Sequence, residues 1–208
     1  DDLTQRNRMA ESQDVAYFSN CWSSGTLEVK KWDGSTFTTM TNGFNDDYTA
    51  PSGTSGDMPA ARQIAAWNGF MWIGDTVESS VRYANRLRFS HQQAPEDWAT
   101  DDWFTVGEIG DGEPITALQP FGDRLIVFTK SSMWQVTGYD RDTWVLEQVT
   151  DASGTCTCRA SAVNSGICYW VSTDGQVMAY NGRGVANIGE KISWWSDIGK
   201  IQHGGSHK

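Results

Sequence analysis

Apolar residues along this chain fall in short runs, not in stripes of helical period. The runs are rich in β-branched and aromatic side chains and are broken by Gly, Asn and Asp, the pattern of strands and turns. Arg124-Leu125-Ile126-Val127-Phe128-Thr129 is apolar at consecutive positions and predicts a strand buried on both faces. Residues 132–137 and 143–149 predict two more strands, with Gly138-Tyr139-Asp140 turning the chain between them, and residues 114–121 predict one before it. Together these four make an antiparallel meander.

The same unit recurs. Trp67-Asn68-Gly69-Phe70-Met71-Trp72, Phe121-Gly122-Asp123-Arg124-Leu125-Ile126 and Asn164-Ser165-Gly166-Ile167-Cys168-Tyr169 share a turn followed by a buried strand. With Gly69, Asp123 and Gly166 as register marks, the period is roughly 40 to 50 residues, the sequence signal of β-propeller blades. Trp32-Asp33-Gly34 and Tyr180-Asn181-Gly182 form a second ruler about three periods apart, and Asp-Gly or Asn-Gly between strands favours a type I′ hairpin. The predicted fold is therefore all-β, with about four four-stranded antiparallel blades at residues 15–40, 60–106, 114–149 and 160–195. They form a small ring or, as the favoured reading, a portion of a larger propeller. Residues 1–14 read as a polar N-terminal arm or partial strand, and Met9-Ala10-Glu11 is the one stretch that could begin a helical turn. Thr41 to Pro59 reads as a long loop and residues 196–208 as a C-terminal tail.

Composition narrows the function. The chain of 208 residues holds 11 Trp, 8 Phe and 6 Tyr, large anchors for a packed core, and carries a formal net charge of −10. An acidic chain does not gather a phosphate-binding footprint, which argues against sequence-specific DNA or RNA reading. No apolar run reaches the roughly 18 residues of a membrane helix, and a membrane partner is not expected.

Few residues suggest chemistry. His91 with Glu96 or Asp97 could be an acid–base pair, but an edge strand followed by a Pro-bent loop with a plugging Trp98 explains the same residues. Asn45-Asp46-Asp47, Asp101-Asp102 and the acidic run from Glu108 to Glu113 lack the spacing of a calcium loop. Cys156 and Cys158 are two apart, on one face of a strand, and no second pair completes a zinc site with Cys21, Cys168 or the three His. Ser172-Thr173-Asp174-Gly175 begins like a sialidase Asp-box turn but places Gly one position early and lacks the closing Trp. The sequence therefore names no catalytic, cofactor-binding or metal-binding residue and implies no cofactor.

One longer pattern carries more. Arg86-Leu87-Arg88-Phe89-Ser90, then Pro95-Glu96-Asp97-Trp98, then Phe121-Gly122-Asp123-Arg124-Leu125-Ile126-Val127-Phe128, then Tyr169-Trp170-Val171-Ser172-Thr173-Asp174-Gly175 occur in this order. This run resembles the β-propeller structural proteins of tailed-bacteriophage virions, of tail nozzle, adaptor or tail-tip type. Residues 1–60 share only the blade-like character. The resemblance implies a non-enzymatic virion component, assembled in the bacterial host cytoplasm. Its partners would be copies of itself in a ring and neighbouring tail proteins, helping to form a channel that passes DNA without binding it specifically. Acidic loops lining that channel would repel a passing duplex over a short range; the equal alternative is that they face outward and keep the particle soluble. In a bacterial cytoplasm the thiols would stay reduced, with Cys156, Cys158 and Cys168 buried. The alternative from another class is a carbohydrate-binding or glycan-hydrolysing propeller that uses its Trp residues as stacking platforms.

Overall fold

A computed structural model describes residues 7–20, 28–44, 57–107 and 112–189. Sixteen strands lie among them, with no helix. Blade 1 comprises β1 (Asn7–Ser12), β2 (Val15–Asn20), β3 (Lys30–Trp32) and β4 (Phe37–Thr39). Blade 2 comprises β5 (Ala60–Trp67), β6 (Phe70–Glu78), β7 (Val81–Phe89) and β8 (Trp103–Thr105). Blade 3 runs through β9 (Ala117–Phe121), β10 (Arg124–Phe128), β11 (Met133–Thr137) and β12 (Val145–Thr150). Blade 4 runs through β13 (Ser161–Asn164), β14 (Ile167–Val171), β15 (Val177–Tyr180) and β16 (Val185–Asn187). Each sheet is an antiparallel meander in chain order, and the four form a β-propeller.

The first strands of the blades surround the axis: β5 packs on β1 and β9, and β13 packs on β9. Arg8 on β1 crosses to blade 3 and donates to the Leu118 carbonyl at 2.9 Å and to Gln119 Oε1 at 3.2 Å. Ser161 on β13 reaches the same Gln119 oxygen at 3.3 Å. Opposite inner strands thus lie within the reach of one side chain, and this polar knot fills the centre of the wheel.

Blades are held by dry cores between neighbouring sheets. Strand β10 shows why its sequence is apolar throughout: Leu125 and Val127 face the core shared with blade 2, while Ile126 and Phe128 face the core shared with blade 4. Trp67, Trp72, Phe89 and Trp144 fill the junction of blades 2 and 3, and Trp170, Tyr180 and Cys168 that of blades 3 and 4. Tyr17, Ile64, Met71 and Trp98 fill the junction of blades 1 and 2. Blade 4 and blade 1 share no such cluster among the described residues. The Arg159 guanidinium donates to the Asn7 carbonyl there at 3.3 Å, while Met9 and Phe37 stay 58% and 62% exposed.

The register marks were the right residues for a local reason. Asn68-Gly69 and Ser165-Gly166 close the first hairpins of blades 2 and 4 with both φ positive, the I′ geometry. The second ruler marks a different turn. Asp33-Gly34 and Asn181-Gly182 join the third and fourth strands of blades 1 and 4 through four-residue loops. There the Asp33 and Asn181 side chains accept backbone N–H groups two and three residues on, so these are Asx turns, not I′ turns. Residues 7–12 form the innermost strand of blade 1, so over them the partial-strand alternative holds and the arm does not, and Met9-Ala10-Glu11 is extended. The last residues assigned to blade 4, 190–195, and the tail at 196–208 lie outside the described residues.

Candidate functional site

The most unusual backbone in the wheel lies in the middle of blade 2. The pairing of β6 with β7 is interrupted between Gly74 and Thr76, where Asp75, buried at a φ of 54°, stands opposite the longer stretch of β7 from Ala84 to Arg86. Such a bulge re-aims a side chain that a regular strand would point elsewhere. Here it aims the Asp75 carboxylate at Arg82, which donates from Nε at 2.6 Å and from its terminal nitrogen at 2.7 Å. A second guanidinium, Arg62 on β5, stands 3.6 Å from the same carboxylate. The hydrogen bond to Asp75 raises the pKa of Arg82. Burial lowers that of Arg62, and the charge of Arg82 adds to this while Asp75 opposes it.

These groups wall a cavity of about 180 Å³. Ile115, on the approach to blade 3, supplies an apolar wall, and Cys156 and Cys158, on the approach to blade 4, supply thiols. Gly74 makes room for Ile115, because a Cβ at that position would stand 2.9 Å from its side chain. Two buried polar atoms here have no hydrogen-bond partner: Arg62 Nε and Gln63 Oε1.

Of these residues the sequence singles out only Cys156 and Cys158, and not for this cavity; Arg62, Gln63, Asp75 and Arg82 carry no such mark. The available signal was Gly74-Asp75 breaking the apolar run of β6, since an isolated Gly inside a strand pattern marks a bulge.

The residues that were singled out serve the scaffold. Glu96 turns away from His91 toward blade 1, where it accepts from the Tyr17 hydroxyl at 3.0 Å and from Lys31 Nζ at 2.7 Å. Burial, then the Glu96 charge, raises the Tyr17 pKa. His91 Nε2 lies 3.9 Å from Asp102, and its backbone N–H donates to the Asp97 carbonyl at 2.9 Å. The sequence-adjacent acid–base pair therefore does not form. A second cavity, of about 320 Å³, opens beside His91 over Phe70 and Phe89.

Arg86 and Arg88, side by side on one face of β7, converge on Glu78. Arg88 donates to both carboxylate oxygens at 2.8 Å and to the Ala99 and Thr100 carbonyls at 3.2 and 3.0 Å. Arg86 adds a bond at 2.8 Å and Thr76 one at 2.6 Å. Burial pushes the Glu78 carboxyl up, but the hydrogen bonds from Arg88 and Thr76 and the two guanidinium charges outweigh it and hold the pKa low.

Of the acidic clusters, Asp101-Asp102 stands away from the axis. Asp101-Asp102 precedes β8, the outermost strand of blade 2, and Asp102 is buried against Arg141 at 2.7 Å. Glu113 accepts from Thr129 at 2.7 Å and Ser131 at 2.8 Å. Asn45-Asp46-Asp47 and Asp111 lie outside the described residues, as does Cys21. Cys158 and Cys168 are buried as expected, but Cys156 is exposed, because it sits in the loop leading to blade 4 and not in a strand. Among the described residues no three His, Cys, Asp or Glu side chains are grouped to hold a metal ion. Trp67, Trp72, Trp98, Trp144 and Trp170 are core residues, so they offer no sugar-stacking platform.

Comparison with known proteins supports the fold. No family model matches the chain, and no curated protein matches it. Solved structures do. The extracellular domain of a putative hybrid two-component system from B. thetaiotaomicron aligns with a TM-score of 0.55 at 11% identity. The alignment covers 90% of this chain and 22% of that one. The computationally designed protein Ika8 aligns with a TM-score of 0.50 at 12% identity, over 86% of this chain and 46% of that one. The likeness is one of fold. This chain spans less than half the length of either neighbour.

Proposed function

We propose that the chain is a structural, non-catalytic component of a bacteriophage tail or neck. In this reading it assembles with copies of itself and with neighbouring tail proteins into a ring around the DNA-ejection path. The observation that carries the reading is how the ordered motif residues are used. Arg86 and Arg88 tie β7 to β6 through Glu78, Trp98 plugs the junction of blades 1 and 2, and residues 121–128 form the turn and central strand of blade 3. Tyr169 to Gly175 form β14 and the turn after it. The motif thus encodes blade architecture, as a scaffold protein requires. Because Arg8, Gln119 and Ser161 fill the wheel's own centre, the DNA path in this reading runs between the chains of the ring.

The test is to label the parent particle with an antibody raised against the intact chain and view it by negative stain. Labelling at the tail or neck is expected. Particles that lack the chain, with all of it found as free monomer in infected cells, would overturn the reading.

A further inference from the structure

We propose that the cavity between Arg62 and Arg82 binds a small organic oxyanion: a carboxylate or phosphate group on a short body lying against Ile115. The proposal is independent of the virion reading and rests on a mismatch of charges and hydrogen bonds. Two guanidinium groups share a single carboxylate. Arg82 takes both Asp75 oxygens in a bidentate bond, leaving Arg62 with only an ion-pair distance of 3.6 Å. Arg62 donates no hydrogen bond among the described residues although its side chain is only 15% exposed. A guanidinium carries five N–H donors in a fixed fork suited to carboxylate or phosphate oxygens. The Arg62 Nε is buried without a partner, and native proteins rarely leave such a donor without a ligand, ion or water to complete it.

A second observation is independent of the charges. Asp75 adopts a left-handed backbone conformation inside a sheet, at φ 54°, where the ordinary choice is an extended residue. Held strain of this kind accompanies binding sites, because the surrounding structure must over-determine it. At this site the bulge places a carboxylate that positions Arg82 while leaving Arg62 uncovered. The same cavity holds Gln63, 3% exposed with its carboxamide oxygen unpartnered, so the wall has an unmet acceptor beside an unmet donor. At about 180 Å³ the space suits a ligand of a few heavy atoms. Ile115 and Pro114 would take its apolar part and Cys156 stands at the wall from blade 4.

The test titrates the intact chain with inorganic phosphate and, separately, with propionate, by calorimetry. A Kd of about 1 mM or tighter for at least one of them is expected. Phosphate alone identifies a phosphorylated ligand, and propionate alone an organic acid. Arg62→Gln should weaken binding at least tenfold. Asp75→Asn should tighten it about tenfold, since it frees both guanidinium groups of a competing carboxylate, and Asn tolerates positive φ. If Asp75 is only a strut, Asp75→Asn lowers the melting temperature with no gain in affinity, and the proposal fails.

A measurement on the unaltered chain does not depend on either variant folding. Anionic iodoacetate should alkylate Cys156 several-fold faster, relative to neutral iodoacetamide, than it alkylates a free thiol, and the ligand anion should suppress the excess. Equal relative rates, or no binding of either anion, would overturn the proposal.

Discussion

Changing Glu78 to Gln should unfold this protein more easily than its modest chemistry suggests. The substitution keeps the shape of the side chain but removes the charge on which Arg86 and Arg88 converge. Arg88 is 2% exposed and cannot turn to water. Breaking a buried pair while leaving one charge behind costs about 3–5 kcal/mol. Gln retains one acceptor oxygen, so the lower end applies, about 3 kcal/mol. For a domain of this size that is roughly 6–12 °C in Tm. The assay is urea unfolding at pH 7 followed by tryptophan fluorescence, with a thermal scan beside it. Replacing both partners, Glu78→Gln with Arg88→Met, should recover a large part of the loss, because the most deeply buried uncompensated charge is gone and the Arg86 left behind is the more exposed of the two. The folded pKa of Glu78 lies below its ordinary 4.5, so its stabilisation is present above that value and is lost as pH falls through the lower one. The gap between the parent protein and Glu78→Gln should therefore be full at pH 7 and close on acidification below 4.5. A loss under about 1 kcal/mol at pH 7, or a strictly additive double variant, would refute the claim that these arginines are structural.

Other substitutions probe the packing. Trp144→Ala should cost about 3–5 kcal/mol, since its ring meets Phe70, Trp72 and Phe89 at centroid distances of 4.6, 4.7 and 4.5 Å. Trp144→Phe should cost less than about 2 kcal/mol, because it keeps ring contacts and deletes a buried N–H that lacks a partner. Gly138→Ala should lose at least about 2 kcal/mol in chemical denaturation, as φ is 118° and a Cβ would lie 2.6 Å from the Thr143 carbonyl oxygen. Gly34→Ala, at a φ of 93° with nothing within 4 Å, should lose only about 1 kcal/mol. Burial pushes the Cys168 thiol up to about 12, so native alkylation at pH 8 should label Cys156 first and Cys168 last, read by peptide mass spectrometry. Early labelling of Cys168 would contradict the core between blades 3 and 4.

Blades 2 to 4 were legible because their first hairpins use Gly where positive φ is needed and because β10 is buried on both faces. The start of blade 1 was not. Its first hairpin turns at Gln13-Asp14, both at positive φ without Gly, and β1 exposes Met9 while burying Ala10, so neither turn chemistry nor alternation announces a strand. Ser79-Ser80 hides the turn between β6 and β7 in the same way. His91 and Glu96 belong to the scaffold, as the edge-strand reading expects: the loop through Pro95 sends Glu96 across the blade junction to Tyr17. The Arg62, Asp75 and Arg82 cavity depends on an interruption in the pairing of two strands, where unequal lengths of β6 and β7 meet. Only the Gly74-Asp75 break hinted at it.

Among the described residues every sheet is made from one stretch of chain, and no strand from one end completes a blade at the other. Three dry junctions join four blades, and the fourth contact is a polar touch between Arg159 and Asn7. Energetically the described blades then approach a linear stack bent into a circle, coupled mainly through nearest neighbours, with the bonds of Arg8 to blade 3 added across the axis. The end blades each have one neighbouring core and the middle blades two. Amide exchange should accordingly begin in blades 1 and 4 while β6 and β10 stay protected to global unfolding. A chain cut between blades would lose one coupling instead of the whole circle.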